Sequence, residues 1–224
     1  MTQPEEHEDS RDSGSLASRL RHVYWIGGAS GSGKSTIARR LANKYGLRLY
    51  STDEAMGDHA RRWRPEDCPK LTEFVKMSMD QRWVDRAPQT MLETFHWFRG
   101  EGFALIIEDL LALPSDQGVI AEGFRLLPHL VKPLLHDPTR GVWLIPTPEF
   151  RLGAFESRST MWTIPNKTSN PKRTLSNLLE RDRLFTERLQ DMLETTGLPA
   201  VKVDDRLTED ALESRIARKF GLDG

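Results

Sequence analysis

Gly28-Ala29-Ser30-Gly31-Ser32-Gly33-Lys34-Ser35, followed by Thr36, fits the pattern GxxxxGK[ST] at every specified position. A loop of this kind wraps successive backbone N–H groups around a polyphosphate and aims the next helix N-terminus at it. In this pattern the lysine, Lys34, reaches the β- and γ-phosphates, and the hydroxyl of Ser35 ligates Mg²⁺. The flanks agree with the loop. His22-Val23-Tyr24-Trp25-Ile26 is a compact strand-forming run, and Thr36 to Tyr45 reads as a helix with Ile37, Leu41 and Tyr45 on one face. Gly46 suits its C-terminal cap.

Outward from this unit, strands and helices alternate. Leu47 to Tyr50 reads as a second strand running into Ser51-Thr52-Asp53, and further strands are expected at Gly118–Gly123, Gly141–Ile145 and Ala200–Val203. Between the second and third strands, Glu54 to about Ala87 is polar, Arg-rich and punctuated by aromatics, a stretch of helices and loops. Pro88 then opens a helix carrying Met91, Leu92, Phe95 and Phe98, interrupted at Gly100 or Gly102. Phe103, Ile106, Ile107, Leu110 and Leu111 mark another helix, and further helical segments are expected at 127–135, 149–158, 173–195 and 208–220. Such alternation predicts a parallel sheet with helices on both faces. Ligands of such sheets bind outside the carboxyl ends of the strands. Lys34, Asp53, Glu122, and Arg151 or Arg158 all follow strand ends, so the topology is expected to bring them to one edge.

Composition narrows the function. A chain of 224 residues is long enough for one good core. With 32 basic and 33 acidic residues it lacks the charge excess expected of a partner for nucleic acid or a membrane surface. Cys68 is the sole cysteine, which excludes an internal disulfide and a Cys-rich metal site. No apolar run approaches the ~20 residues of a membrane span. Residues 1–18 are polar and acidic, without the basic start and apolar centre of a secretion signal, and read as a disordered tail. The expectation is a cytoplasmic protein, monomeric or homodimeric.

The chain resembles the small P-loop kinases, the group that includes nucleoside monophosphate kinases and shikimate kinase, over roughly residues 20 to 220. The resemblance implies an α/β, three-layer P-loop NTPase fold with a parallel five-stranded sheet over 19–224, a helical acceptor-binding insert at about 54–113 and a lid at about 151–183. It also implies ATP and Mg²⁺ as cofactors, with the adenine near Asp204 to Leu207. Asp53 lies nineteen residues after Lys34, where shikimate-type kinases carry an Asp that contacts the acceptor hydroxyl; the other use of such a residue is to cap the next helix. Gly118-Val119-Ile120-Ala121-Glu122-Gly123-Phe124-Arg125 is similar to the adenylate kinase stretch whose strand ends in Asp-Gly-Phe-Pro-Arg. Glu stands here for Asp and the proline is missing. By that likeness Arg125 holds an acceptor phosphate, while Glu122 binds acceptor hydroxyls, holds magnesium-bound water, or simply fixes the turn.

Phe155-Glu156-Ser157-Arg158 and Arg181-Asp182 fall where these kinases place their lid. Arg158 and Arg181 are then expected to offset charge on the transferring group, or else to belong to a salt-bridged helix face. Arg61, with Arg62 and Arg64, either binds an anionic acceptor or lies on a solvated helix. Trp63, Phe74, Trp83, Phe95 and Trp97 either pave an acceptor pocket or form the core of the insert. The function implied is ATP-dependent phosphoryl transfer to the hydroxyl of a small molecule, a nucleoside, sugar or antibiotic-like compound. The alternatives are a nucleoside monophosphate kinase and a non-enzymatic nucleotide switch.

Overall fold

The computed structural model describes residues 16–156 and 161–223. Five strands, β1 (Val23–Gly28), β2 (Arg48–Ser51), β3 (Val119–Glu122), β4 (Gly141–Pro146) and β5 (Ala200–Val203), form one parallel sheet in the order β2-β3-β1-β4-β5. The protein is thus an α/β fold with a parallel five-stranded sheet between helical layers, as expected.

The helices are α1 (Lys34–Tyr45), α2 (Met56–Arg62), α3 (Pro69–Lys76), α4 (Met79–Trp83), α5 (Pro88–Thr94), α6 (Phe103–Ala112), α7 (Pro128–Val131), α8 (Pro148–Glu156), α9 (Pro171–Thr196) and α10 (Glu209–Phe220). Alternation along β1 decides which layer each residue feeds. Val23 and Trp25 join the core shared with Ile106 and Leu110 of α6 and Phe185 and Leu189 of α9. Tyr24 and Ile26 face the opposite core, with Ile37 and Leu41 of α1 and Leu212 and Ile216 of α10. Both cores reach the sheet, so β1, β3 and β4 are buried along their whole length. Their near-continuous apolar runs are the sequence counterpart of that placement.

On the second face, Arg40 of α1 binds Glu209, Asp210 and Glu213 of α10, and Lys44 adds a 3.0 Å bond to Glu213. The expected helix starting at Pro88 is split: α5 ends at Thr94, Phe95 is extended, and His96–Arg99 form a 3₁₀ turn closed by left-handed Gly100. This break swings Phe95, Trp97 and Phe98 toward α9, where Phe98 stacks on Phe185 at 3.8 Å. The long helix is longer than expected. It starts at Pro171, whose missing N–H costs nothing in the first turn, and Asn170 caps it through the N–H of Arg173. At the other end of the chain, Leu16, within the expected tail, packs against the first core. No helix among the described residues is long and apolar enough to cross a membrane.

Candidate active site

The loop after β1 is built as the motif requires. Gly31 and Gly33 adopt positive φ, 78° and 81°, which a Cβ would strain. Gly33 caps α1 without a side-chain acceptor, so the first-turn N–H groups point out of the loop for an anion to take. Lys34 is buried, with Nζ 3.4 Å from the carbonyl of Ala29 in the same loop. Ser32 Oγ is buried and has no hydrogen-bond partner among the described residues. A side-chain-free helix start, a buried lysine and an orphaned hydroxyl fit a phosphate chain. Gly28, Ala29, Ser30 and Thr36 complete the loop, with Thr36 exposed at its outer edge.

At the carboxyl edge of the sheet, β3 sets Glu122 opposite Ser51 of β2 and Ile26 of β1. Its carboxylate is 2% exposed and accepts hydrogen bonds from Ser35 Oγ at 3.0 Å and Ser51 Oγ at 2.6 Å. Ser35 and Glu122 therefore make the pair suited to a magnesium ion: one hydroxyl and one carboxylate, at the loop's helical side. Among the described residues, no cluster of three or more His, Cys, Asp or Glu is suited to a metal. Bound there, Mg²⁺ would neutralise phosphate charge.

Asp53 follows β2 by two positions and is exposed at the same edge. The capping alternative is not realised, since α2 has Ala55 at its N-cap and no side-chain cap bond. Close by, Gly123 (φ 147°) presses on Thr52 so tightly that a Cβ would lie 1.7 Å from Thr52 Oγ1.

Arg125 is put to a different use from the one the resemblance implies. It is 2% exposed, and its guanidinium donates to the carbonyls of Thr52 (3.4 Å) and Gly102 (3.1 Å) and to His59 Nδ1 (2.9 Å). It also lies 4.1 Å from the Trp97 ring centroid. Because Nδ1 accepts, His59 must donate through Nε2, and it does so to Asp109 at 2.7 Å. Tyr50 donates to the same Asp109 oxygen at 2.7 Å, and Arg62 binds the other at 2.6 Å. Burial pushes Arg125 down to about 10 and lowers His59, whose neutral form suits a ring facing Arg125. Burial also raises the Asp109 carboxyl, but its bonds to Arg62, His59 and Tyr50 outweigh that and leave it lowered. The network clamps α2 and α6 to the turn after β3.

Arg61 is exposed on α2 and paired with Asp58 at 3.2 Å, away from the loop. Arg158 lies outside the described residues. Arg181 is brought in, but by stacking: its guanidinium sits 4.9 Å from Phe95, 5.3 Å from Phe98 and 5.4 Å from Trp83, and bonds Asp182 through Nε and Nη2 at 2.9 and 2.6 Å.

These rings enclose a cavity of about 190 Å³ that opens beside Ser30 of the loop. Phe74, Trp83, Phe95, Trp97, Phe98 and Phe124 form its walls, with His96, Arg181 and Asp182 as its polar groups. His96 is 2% exposed, its Nδ1 has no hydrogen-bond partner among the described residues, and burial next to Arg125, Arg181 and Arg82 pushes its pKa down to about 3. Of the five aromatics left open between pocket and core, Phe74, Trp83, Phe95 and Trp97 pack together and line this cavity, whereas Trp63 packs against Cys68, Leu71 and Trp97. Residue types alone gave His96 and Ser51 no role, and placed Asp182 only as the neighbour of Arg181 in the expected lid. The run Phe95-His96-Trp97-Phe98, a histidine inside aromatics, was the available signal. Arg151 of α8, which follows β4, packs its side chain on the loop 3.3 Å from where a Gly31 Cβ would sit.

The sequence matches no protein-family model and no curated protein. Among solved structures it is similar to deoxyadenosine kinase from M. mycoides with bound dATP, at 14% identity and a TM-score of 0.48, covering 89% of this chain and 99% of that one. The same kinase with dCMP and dCDP bound gives 13% and 0.48 over 90% and 100%. A protein from Eubacterium ventriosum ATCC 27560 gives 14% and 0.48 over 89% and 98%.

Proposed function

We propose that this protein is an ATP-dependent kinase that phosphorylates a hydroxyl of a small, ring-bearing molecule. One observation carries the reading: the aromatic cavity shares Ser30 with the phosphate-binding loop, so a ring held there lies beside the end of a bound triphosphate. Apolar walls with a few converging polar groups are the usual make-up of a small-molecule site.

In this reading residues 28–36 hold the phosphates of ATP, and Lys34 offsets their charge. Ser35 and Glu122 hold Mg²⁺. Asp53 orients the acceptor hydroxyl and takes its proton. A new bond forms between the acceptor oxygen and the γ-phosphorus, the β,γ-bridging P–O bond breaks, and ADP leaves with that oxygen. Positioning and charge stabilisation supply most of the rate in such transfers. Arg151, whose side chain packs on the loop, and Arg158 are the candidates for offsetting the transferring charge, whereas Arg181 is already paired with Asp182.

A hydroxyl acceptor is favoured over a monophosphate because Arg125, the residue available for a phosphate, is 2% exposed and already donates to the carbonyls of Thr52 and Gly102, leaving its buried Nε without a partner among the described residues. The test is ATP consumption with a panel of nucleosides, aromatic alcohols and nucleoside monophosphates. Turnover of a neutral alcohol supports the reading. Turnover of monophosphates alone would replace it, and no turnover of any acceptor by a protein that binds MgATP would leave a nucleotide switch.

A further inference from the structure

Behind the aromatic cavity lies a second one of about 160 Å³, lined by Phe155, Met161, Leu175, Leu178 and Leu179. Ile164, Arg181 and Asp182 belong to the walls of both cavities. The partition between them is therefore an ion pair with one side facing rings and the other facing aliphatic side chains.

That partition is costly as pure structure. Arg181 and Asp182 are both at least nine-tenths buried, and a buried ion pair rarely stabilises more than apolar residues of the same shape. It is also incompletely used. Both hydrogen bonds between them run to Asp182 Oδ1, from Nε and Nη2 of Arg181. Arg181 Nη1 and Asp182 Oδ2 have no hydrogen-bond partner among the described residues. A donor and an acceptor of one ion pair thus remain for a ligand on residues that wall both chambers, and the buried His96 that lines the first also has a nitrogen without a partner among the described residues.

We propose that the two cavities are one acceptor site, and that the acceptor is an aromatic alcohol joined through a neutral carboxamide-like linkage to an apolar arm. Its ring occupies the chamber beside Ser30. The linkage carbonyl accepts from Arg181, the linkage N–H donates to Asp182, and the arm enters the chamber between α8 and the start of α9. Neither chamber alone reaches the roughly 300 Å³ at which small-molecule sites begin, whereas together they do. At about 30 Å³ per water-sized group, the second chamber takes about five heavy atoms. A charged linkage is disfavoured, because the pair is already neutral and a further buried charge would have no counter-ion. This rests on the kinase reading above and adds the acceptor's shape.

The test uses N-alkyl 4-(hydroxymethyl)benzamides with arms from methyl to octyl, titrated calorimetrically into the full chain saturated with magnesium and a non-hydrolysable ATP analogue. Wild-type protein should bind the pentyl amide at least about tenfold more tightly than the methyl amide, with the gain levelling off beyond five or six carbons. Leu178→Trp fills the second chamber and should bring that ratio close to one. Leu178→Ala enlarges it and should move the optimum to a longer arm, which keeps the test available if the tryptophan variant fails to fold. Replacing the amide by an ester, which lacks the N–H, should weaken binding about tenfold. Equal affinity for all arm lengths, with the methyl amide still bound, overturns the second chamber and leaves the kinase reading standing. Failure of every amide to bind overturns the acceptor assignment, and failure of the ATP analogue to bind overturns the kinase reading itself.

Discussion

Ser35 and Glu122, 87 positions apart in the chain, are joined by a 3.0 Å hydrogen bond across the carboxyl edge of the sheet. The bond exists because β3 pairs directly with β1, so the end of one strand meets the loop that leaves the other. It couples the loop after β1 to β2 as well, since Glu122 also accepts from Ser51.

Glu122→Gln preserves the shape and one acceptor oxygen but removes the charge. It should lower kcat at least a hundredfold and raise the Mg²⁺ concentration needed for half-maximal rate, with little change in Tm. Rates measured across a magnesium titration check this. Unchanged magnesium dependence with a large fall in Tm would make Glu122 a structural brace only.

Asp53→Asn should lower kcat by about 10² to 10⁴ while the KM for ATP stays within a few-fold, because the carboxylate is proposed to act on the acceptor side. Steady-state kinetics with both substrates varied separates the two parameters. An unchanged kcat removes Asp53 from the reaction.

Arg125→Met deprives the Thr52 and Gly102 carbonyls and His59 Nδ1 of their donors. It should destabilise the fold by about 2–4 kcal/mol, a Tm fall of roughly 4–16 °C for a chain of this size. A Tm within a degree of wild type, with a raised acceptor KM, would instead assign Arg125 to substrate.

His96 is neutral in the folded protein, with its pKa pushed down to about 3 from an ordinary value of 6.5 by burial and by nearby arginines. Below about pH 6.5 the unfolded chain takes up a proton that the folded one refuses, so this contribution is intact above pH 6.5 and lost progressively toward pH 3. The slope is about 1.4 kcal/mol per pH unit for one such proton. His96→Phe should flatten the fall in stability between pH 6.5 and 5, measured by urea unfolding at each pH. Parallel curves for the two proteins would show that His96 titrates normally.

What could be read from residue types alone follows physical locality. Strands such as Val119–Glu122 and Gly141–Pro146 are buried on both faces and announce themselves as apolar runs. The loop at 28–35 is a short-range device whose chemistry sits within eight residues. The aromatic cavity is different, since Phe74, Phe95, Phe98 and Phe185 come together only after α3, the 3₁₀ turn and α9 pack. No local pattern separates an aromatic that lines a cavity from one that fills a core. Arg125 shows the same limit, because its burial depends on Gly102 and His59, 23 and 66 residues away. The break at Phe95 was likewise hidden, as an apolar spacing of three and four continues through it.

The most direct measurement is a calorimetric titration of MgATP into folded wild-type protein and into Lys34→Ala. A loop that cradles a triphosphate should give saturable heat with one site per chain in the wild type, and heat at least a hundredfold weaker in affinity in a variant whose circular dichroism is unchanged. Absence of heat from wild-type protein at millimolar MgATP, or equal binding by both proteins, contradicts the account.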